Sequence, residues 1–307
     1  MPKEKKYRHI NTSKSFARNK GDIFFYCAIL AIPLIQIAVF YFGVNFQSIM
    51  MAFQKYSTVE NKFYWDASLN FAEFKSDIKD PTFWNMIGCS FIVWLCTQFA
   101  GTILALLFSF YIYKKKKLYK FFKFVLFLPS IIPALLLVLI FRFFVTEAMP
   151  AFFNAKRTLL TQPETFFWII TAFTVWISFG SQVLVYSGAM DQVPTEIIEA
   201  GKIDGTSPFR EFISIVVPYI APTITTFIIA GVATIFTNQN NLYSFFGDDI
   251  PSESFRTIGY ELYRMISKSG HGMSRYCYAS FLGLISTCVA VPLTFAVRKI
   301  LSKVGER

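Results

Sequence analysis

Long runs without charge dominate this chain. Residues 23–44, 84–113, 165–190, 212–247 and 276–297 hold no Asp, Glu, Lys or Arg, and residues 124–145 are interrupted only by Arg142. About 20 helical residues cross the roughly 30 Å of a bilayer's hydrocarbon. Backbone amides cannot stay unpaired there, so each run has to fold as a helix. Hydrophobic residues make up 54% and charged ones 16% of the 307, and the charges sit in blocks between the runs. The sequence therefore predicts an all-α polytopic bundle of six transmembrane spans, not a soluble domain.

The spans are expected at about 23–44, 84–113, 124–145, 165–190, 213–236 and 276–297. Residues 212–247 are too long for one straight crossing and too short for two, and Pro218 and Pro222 are the breakers that divide them. Pro33 and Gln36 fall in the first span, and Pro129 and Pro133 near the inner end of the third. Arg142 is expected to reach lipid headgroups from the outer end of that span. Residues 1–22 form a basic tail, 23–298 the six-span transmembrane domain and 299–307 a second tail. The first run is of span length and has no small-residue cleavage site, so it reads as a span and not as a cleaved leader. Six spans leave both termini on one side. Of the 30 Lys and Arg, 19 fall on the tails and connections of that side and ten on the others. The positive-inside rule then makes that side cytoplasmic, with Lys114–Lys117, Lys120 and Lys123 as the strongest signal. No fold or aromatic interleaving around these charges points to nucleic acid.

Between the fourth and fifth spans lies a polar segment, residues 191–218. Pro194 suits the first position of a short helix and Glu196 its positive end. Gly205 suits a left-handed stop, and Ser207-Pro208 an N-cap and first position of the next helix. Ile197, Ala200 and Gly201 are expected on one face, with Glu196, Glu199 and Lys202 in water. Geometry alone leaves a surface connector as an equal reading.

The order Glu199-Ala200, Asp204-Gly205, Ile215 and Pro218 resembles the EAA loop of ABC importer membrane subunits, above all the carbohydrate-uptake, MalF- and UgpA-type permeases. Gly201 stands where that pattern usually has a second alanine, a change that weakens a helix by roughly 1 kcal/mol. Asn70-Phe71, Phe83-Trp84-Asn85, Phe127-Leu128-Pro129 and Ile140-Phe141-Arg142-Phe143 look like further motifs of those permeases, in the same order. The resemblance implies a type I ABC importer (MetI-like) permease fold in a bacterial cytoplasmic membrane. It implies a coupling helix docked on an ATPase, with Glu199, Ala200, Gly201, Asp204 and Gly205 as coupling residues. It also implies two ATPase subunits that bind ATP and Mg, a second permease subunit and an extracellular solute-binding protein.

The chain itself has no Gly-x-x-x-x-Gly-Lys-Ser/Thr loop, no carboxylate in the expected spans and no Cys or His at metal-ligand spacing. No catalytic residue, metal or cofactor is expected in it, which weighs against a membrane enzyme or an ion-coupled carrier. His9 and His271 fall in the tail and an outer loop. Cys27, Cys89, Cys96, Cys277 and Cys288 read as small hydrophobes. The spans do carry neutral donors and acceptors beside aromatic rings: Trp176, Ser178, Ser181 and Gln182 in the fourth, Thr234, Asn238 and Gln239 at the end of the fifth. Such groups often bond neighbouring helices. They also suit a sugar, whose hydroxyls need donors and acceptors together. The expected function is import of a sugar or oligosaccharide. Another solute, such as a glycerophosphodiester or modified sugar, is the alternative within the class; a polytopic enzyme or channel is the alternative outside it.

Overall fold

The structure, a computed structural model, describes residues 20–153, 158–267 and 272–305. His9, His271 and six of the seven basic residues of the first tail lie outside them. The chain divides into two compact units, residues 1–51 and 52–307. In the first, helix α1 is Ile23–Ala52. Pro33 sits inside it and π-helical turns, Ile37–Val44, follow. A proline removes one donor and crowds the carbonyl four residues back, and a wider turn is one way for a helix to absorb the mismatch.

The second unit starts with an antiparallel hairpin, β1 (Gln54–Ser57) and β2 (Lys62–Trp65), which the all-helical expectation did not include. Left-handed Asn61, at φ +56°, turns it. Helix α2 (Ser68–Asp77) follows, and its buried Asn70 donates from Nδ2 to the carbonyls of Ala52 at 2.9 Å and Gln54 at 3.2 Å. Asp80 caps the long helix α3 (Pro81–Tyr113) by accepting from the Thr82 N–H at 2.8 Å, which holds its carboxyl below the usual carboxylate range.

The third expected span is displaced. The chain breaks at Ile132-Pro133 into α4 (Tyr119–Ile131) and α5 (Ala134–Phe152), and the membrane-length helix is α5. A residue before proline is driven out of the helical region; Ile132 has ψ 136° and Pro133 ψ 131°. Arg142 does not simply reach outward, for its Nη1 donates to the Phe245 carbonyl at 3.1 Å. Helix α6 (Pro163–Met190) is the central span, followed by α7 (Thr195–Ile203). The expected fifth span is two helices, α8 (Pro208–Tyr219) and α9 (Ala221–Ala233), bent by 68°. Pro222 at the start of α9 restarts the helix after the bend. Short α10 (Leu242–Phe246), α11 (Ile258–Ser267) and long α12 (Met273–Gly305) complete the fold. Among the described residues, five helices are long and apolar enough to cross a membrane, and the bent pair, counted as one span, brings the number to six.

Two apolar clusters hold α6 at its two ends. One joins Phe166, Phe167, Ile170 and Phe173 to α5, α10 and α11; the other joins Phe179, Val183, Tyr186 and Met190 to α3, α7 and α8. An ion pair joins α12 to α2, Arg275–Glu73, while Glu261 of α11 pairs with Arg264 of its own helix and with Arg256 of the α10–α11 connection, which also pairs with Glu253. The five cysteines are free thiols; Cys89 and Cys277 are buried, whereas Cys27 and Cys288 are exposed on their helices.

Helix α4 meets α6 at Gly180, where an added Cβ would lie 2.1 Å from the Leu126 carbonyl oxygen. That obstacle is backbone, so Gly180→Ala is expected to cost about 1–3 kcal/mol by overpacking. Thermal unfolding in detergent checks this against Gly188→Ala, which meets nothing within 4 Å on the same helix. An unchanged midpoint for Gly180→Ala would contradict the packing.

Candidate functional site: the polar segment and the intramembrane amides

Helix α7 is short, and its capping explains why. Pro194 takes the N-cap, with ψ 132°, and not the first helical position, so the helix starts at Thr195. At the other end Gly205 has φ +71°. The Thr206 N–H donates to the Gly201 carbonyl at 2.9 Å and the Gly205 N–H to the Lys202 carbonyl at 3.1 Å. This paired closure requires a left-handed residue at 205, which glycine adopts without a Cβ penalty. Ser207 then caps α8 by accepting from the Arg210 N–H at 3.3 Å, with Pro208 at the first position.

The face of α7 turned to the bundle is Ile198 and Gly201, so Gly201 is parted from Ile197 and Ala200, with which it was expected to share a face. At Gly201 a Cβ would stand 2.8 Å from Ile215 Cδ1, so the missing methyl gives α8 its close approach. Loss of helix propensity is thus offset by contact. The opposite face, Ile197 (45% exposed), Ala200 and Ile203 (86% exposed), is apolar and bare, bordered by exposed Glu196, Glu199, Lys202 and Asp204. Phe209, just beyond the turn, is 73% exposed.

Beneath this segment is a pair the sequence reading did not single out. Glu211, 5% exposed at the start of α8, pairs with Lys114 at the end of α3. The Lys114 ammonium also sits 5.5 Å from the Phe110 ring centroid and 5.6 Å from that of Tyr113. Tyr219 adds a bond from its hydroxyl to the Gln192 carbonyl, 3.1 Å. The only signal in sequence was one carboxylate entering an apolar run, and nothing local says which of six nearby lysines meets it.

The intramembrane residues fall in two groups. On α6, Trp176 is 42% exposed, and Ser178 and Ser181 donate to their own helix, to the carbonyls of Val175 (3.0 Å) and Ser178 (3.1 Å). The buried Gln182 Oε1 has no hydrogen-bond partner among the described residues. Thr234, Asn238 and Gln239 lie past the end of α9 in an irregular turn. Thr234 donates back to Gly231 at 3.1 Å, Asn238 Oδ1 accepts from the Asn240 N–H at 2.8 Å, and Gln239 Oε1 is buried and unpartnered. The turn is tied to α6 by residues not anticipated: Asn240 donates to Thr171 and Asn241 to Thr174, both at 3.0 Å. Both asparagines are left-handed, φ +54° and +56°. Buried Gln98, in the π-helical stretch Cys96–Ala100 of α3, also escaped the sequence reading. It donates to Thr102 at 3.3 Å and fills the space over Gly231, where a Cβ would come within 1.9 Å of its Oε1. Trp94 Nε1 is a further buried group without a partner among the described residues. Buried polar atoms without partners are costly, so these spans hold spare hydrogen-bonding capacity.

Breaking the Lys114–Glu211 pair from one side leaves a buried charge. With Lys114 one-fifth exposed, Glu211→Gln is expected to cost about 2 kcal/mol, and Lys114→Met with Glu211→Leu to recover most of it. Thermal unfolding of both variants in detergent measures the difference; equal losses would show that the charges are not coupled.

The family model described as binding-protein-dependent transport system inner membrane component matches residues 99–304. The multiple sugar-binding transport system permease protein MsmF of Streptococcus mutans is 24% identical over 262 residues, 83% of this chain and 88% of that one. The maltose/maltodextrin transport system permease protein MalF of Klebsiella aerogenes is 26% identical over 187 residues, 57% of this chain but 35% of MalF. Among solved structures, a chain of a bacterial ABC transporter that imports the acidic polysaccharide alginate superposes with a TM-score of 0.76. That match covers 92% of this chain and 96% of the other at 20% identity, and shows a shared fold. The family match spans well over half of the chain, and the described helices supply its spans. The chain belongs to the binding-protein-dependent transport system inner membrane components and is a multi-pass membrane protein.

Proposed function

We propose that this chain is the permease subunit of an ATP-driven ABC importer that moves a sugar or oligosaccharide delivered by an extracellular solute-binding protein. The observation that carries the reading is α7: a capped helix with a bare apolar face, packed through Ile198 and Gly201 onto the ends of two spans. In this reading, two ATPase subunits bind ATP and Mg, and one of them receives that face. Ile197, Ala200 and Ile203 supply apolar contact, Glu199 and Asp204 polar contact, and Gly205 the turn that fixes the helix direction. Closure of the ATPases displaces α7. Gly201 against Ile215 and Lys114 on Glu211 carry the displacement into α8 and α3, and the spans reorient. A second permease subunit forms the other half of the pathway, and both termini are cytoplasmic.

The substrate assignment draws on relatives named for sugars and on the character of the buried groups. Gln182 and Gln239 offer uncharged acceptors, and Trp94 a donor, without partners among the described residues. Arg142, the one cation in the expected spans, is already bonded to a carbonyl. A neutral, hydroxyl-rich solute fits these groups better than an anion. Trp176, Ser178, Ser181, Thr234 and Asn238 complete the proposed contact set.

Two experiments test this. Gly205→Leu forces a branched side chain into the left-handed region and is expected to abolish uptake while the protein still inserts; normal uptake would refute the role of α7. Gln239→Ala and Trp176→Ala are expected to lower substrate-stimulated ATPase activity of the reconstituted complex about tenfold, with basal hydrolysis kept, the scale of one lost buried hydrogen bond. Unaltered stimulation in both would remove them from the site.

A further inference from the structure

The turn between α3 and α4 concentrates charge in a way that coupling does not use. Residues 114–123 contain six lysines and no acid. Lys114 is committed to Glu211, but Lys115, Lys116, Lys117, Lys120 and Lys123 are exposed and form no ion pair among the described residues. The turn that presents them is held in one shape. Lys115 and Leu118 are left-handed at φ +49° and +65°, a conformation costly for non-glycine residues. The Tyr111 hydroxyl donates to the Lys117 carbonyl, and the Tyr111 ring meets Phe122 edge-on at 5.4 Å.

Directly beside the lysines runs an apolar stripe. Phe121, Phe124, Leu128 and Ile131 are 59%, 60%, 37% and 59% exposed. Their spacing of three and four residues puts them on one side of α4, turned away from the bundle. Lys120 and Lys123 flank the first turn of the stripe, and Leu118, 61% exposed, adjoins it. An acidic protein surface would satisfy the charges but leave Phe121 and Phe124 in water. A membrane interface satisfies both, with rings among acyl chains and ammonium groups extended to the headgroups on their methylene stems.

We propose that this turn is a docking surface for anionic phospholipid headgroups, with Lys115, Lys116, Lys117, Lys120 and Lys123 as the contacts and the Phe121–Ile131 stripe beside the lipid tails. Each lysine near an anionic surface is worth about a fivefold preference. The surface abuts the segment that holds α7, because Lys115 shares a cavity with Glu199 and Lys202. Bound lipid would therefore lie next to the element assigned to coupling, although the proposal needs only the membrane-spanning fold.

The test uses the whole transport complex in nanodiscs that mix phosphatidylcholine with phosphatidylglycerol, reading the lipids kept by the protein in native mass spectrometry. The triple variant Lys116→Gln, Lys117→Gln, Lys120→Gln is expected to lose at least about tenfold of its phosphatidylglycerol selectivity. Arginine at the same three positions is expected to keep it. A control triple on exposed lysines elsewhere, Lys62→Gln, Lys75→Gln and Lys79→Gln, is expected to match the wild type. Selectivity of the wild type is also expected to fall at high salt, so a variant that fails to insert does not end the test. A glutamine triple with wild-type selectivity, a wild-type selectivity blind to salt, or a glutamine triple that keeps its lipid but sheds its ATPase subunits would each overturn the proposal.

Discussion

Every backbone amide inside the hydrocarbon has to find a partner within the protein, and this requirement governs each irregularity of the fold. Among the described residues, the helical path is broken at the Ile132-Pro133 break, at the bend between α8 and α9, and at the turn that follows α9. Each is packed against α6 or bonded to it. The last is the most exposed to penalty, and Asn240 and Asn241 fasten it to Thr171 and Thr174. Without those two amide–hydroxyl bonds, residues 234–241 would offer polar groups to lipid, and Gln239 would have no fixed place.

Close approach is the second theme. In lipid, helices gain little from hiding apolar surface from one another, so contact depends on how near backbones come. Glycine makes that possible at Gly180 against the Leu126 carbonyl, at Gly201 against Ile215, at Gly231 against Gln98 and at Gly259 against the Thr237-Asn238 backbone. Two of these contacts border the proposed working parts. Gly201 seats α7, the proposed coupling helix, on α8, and Gly259 braces the turn that bears Asn238 and Gln239. A displacement of α7 therefore meets packed side chains and a buried ion pair, not a flexible linker.

Much of this was legible in the chain itself. Charge-free runs reveal spans because burying an unpaired charge in lipid is prohibitive, and Gly205 and Ser207-Pro208 reveal helix ends because few residues fit those dihedrals. The exact placement of the third span was not legible, since periodicity says nothing about which of two prolines, Pro129 or Pro133, breaks the helix. Pro129 remains inside α4, whereas Pro133 ends up as the cap of α5. Nor was the inward face of α7 legible, because Ile197 and Ile198 are equally apolar and only the position of α8 chooses between them.

Sequence alone determined that the chain spans a membrane as several helices, and that a polar segment with a fixed start and stop interrupts them. These follow from transfer free energies and from dihedral limits that act on single residues. Tertiary structure decided which lysine Glu211 takes, which threonines hold Asn240 and Asn241, and which amides in the spans stay unpartnered. Those outcomes depend on atoms distant in sequence arriving within about 3 Å of one another, a distance that the order of residues does not encode until the helices have packed.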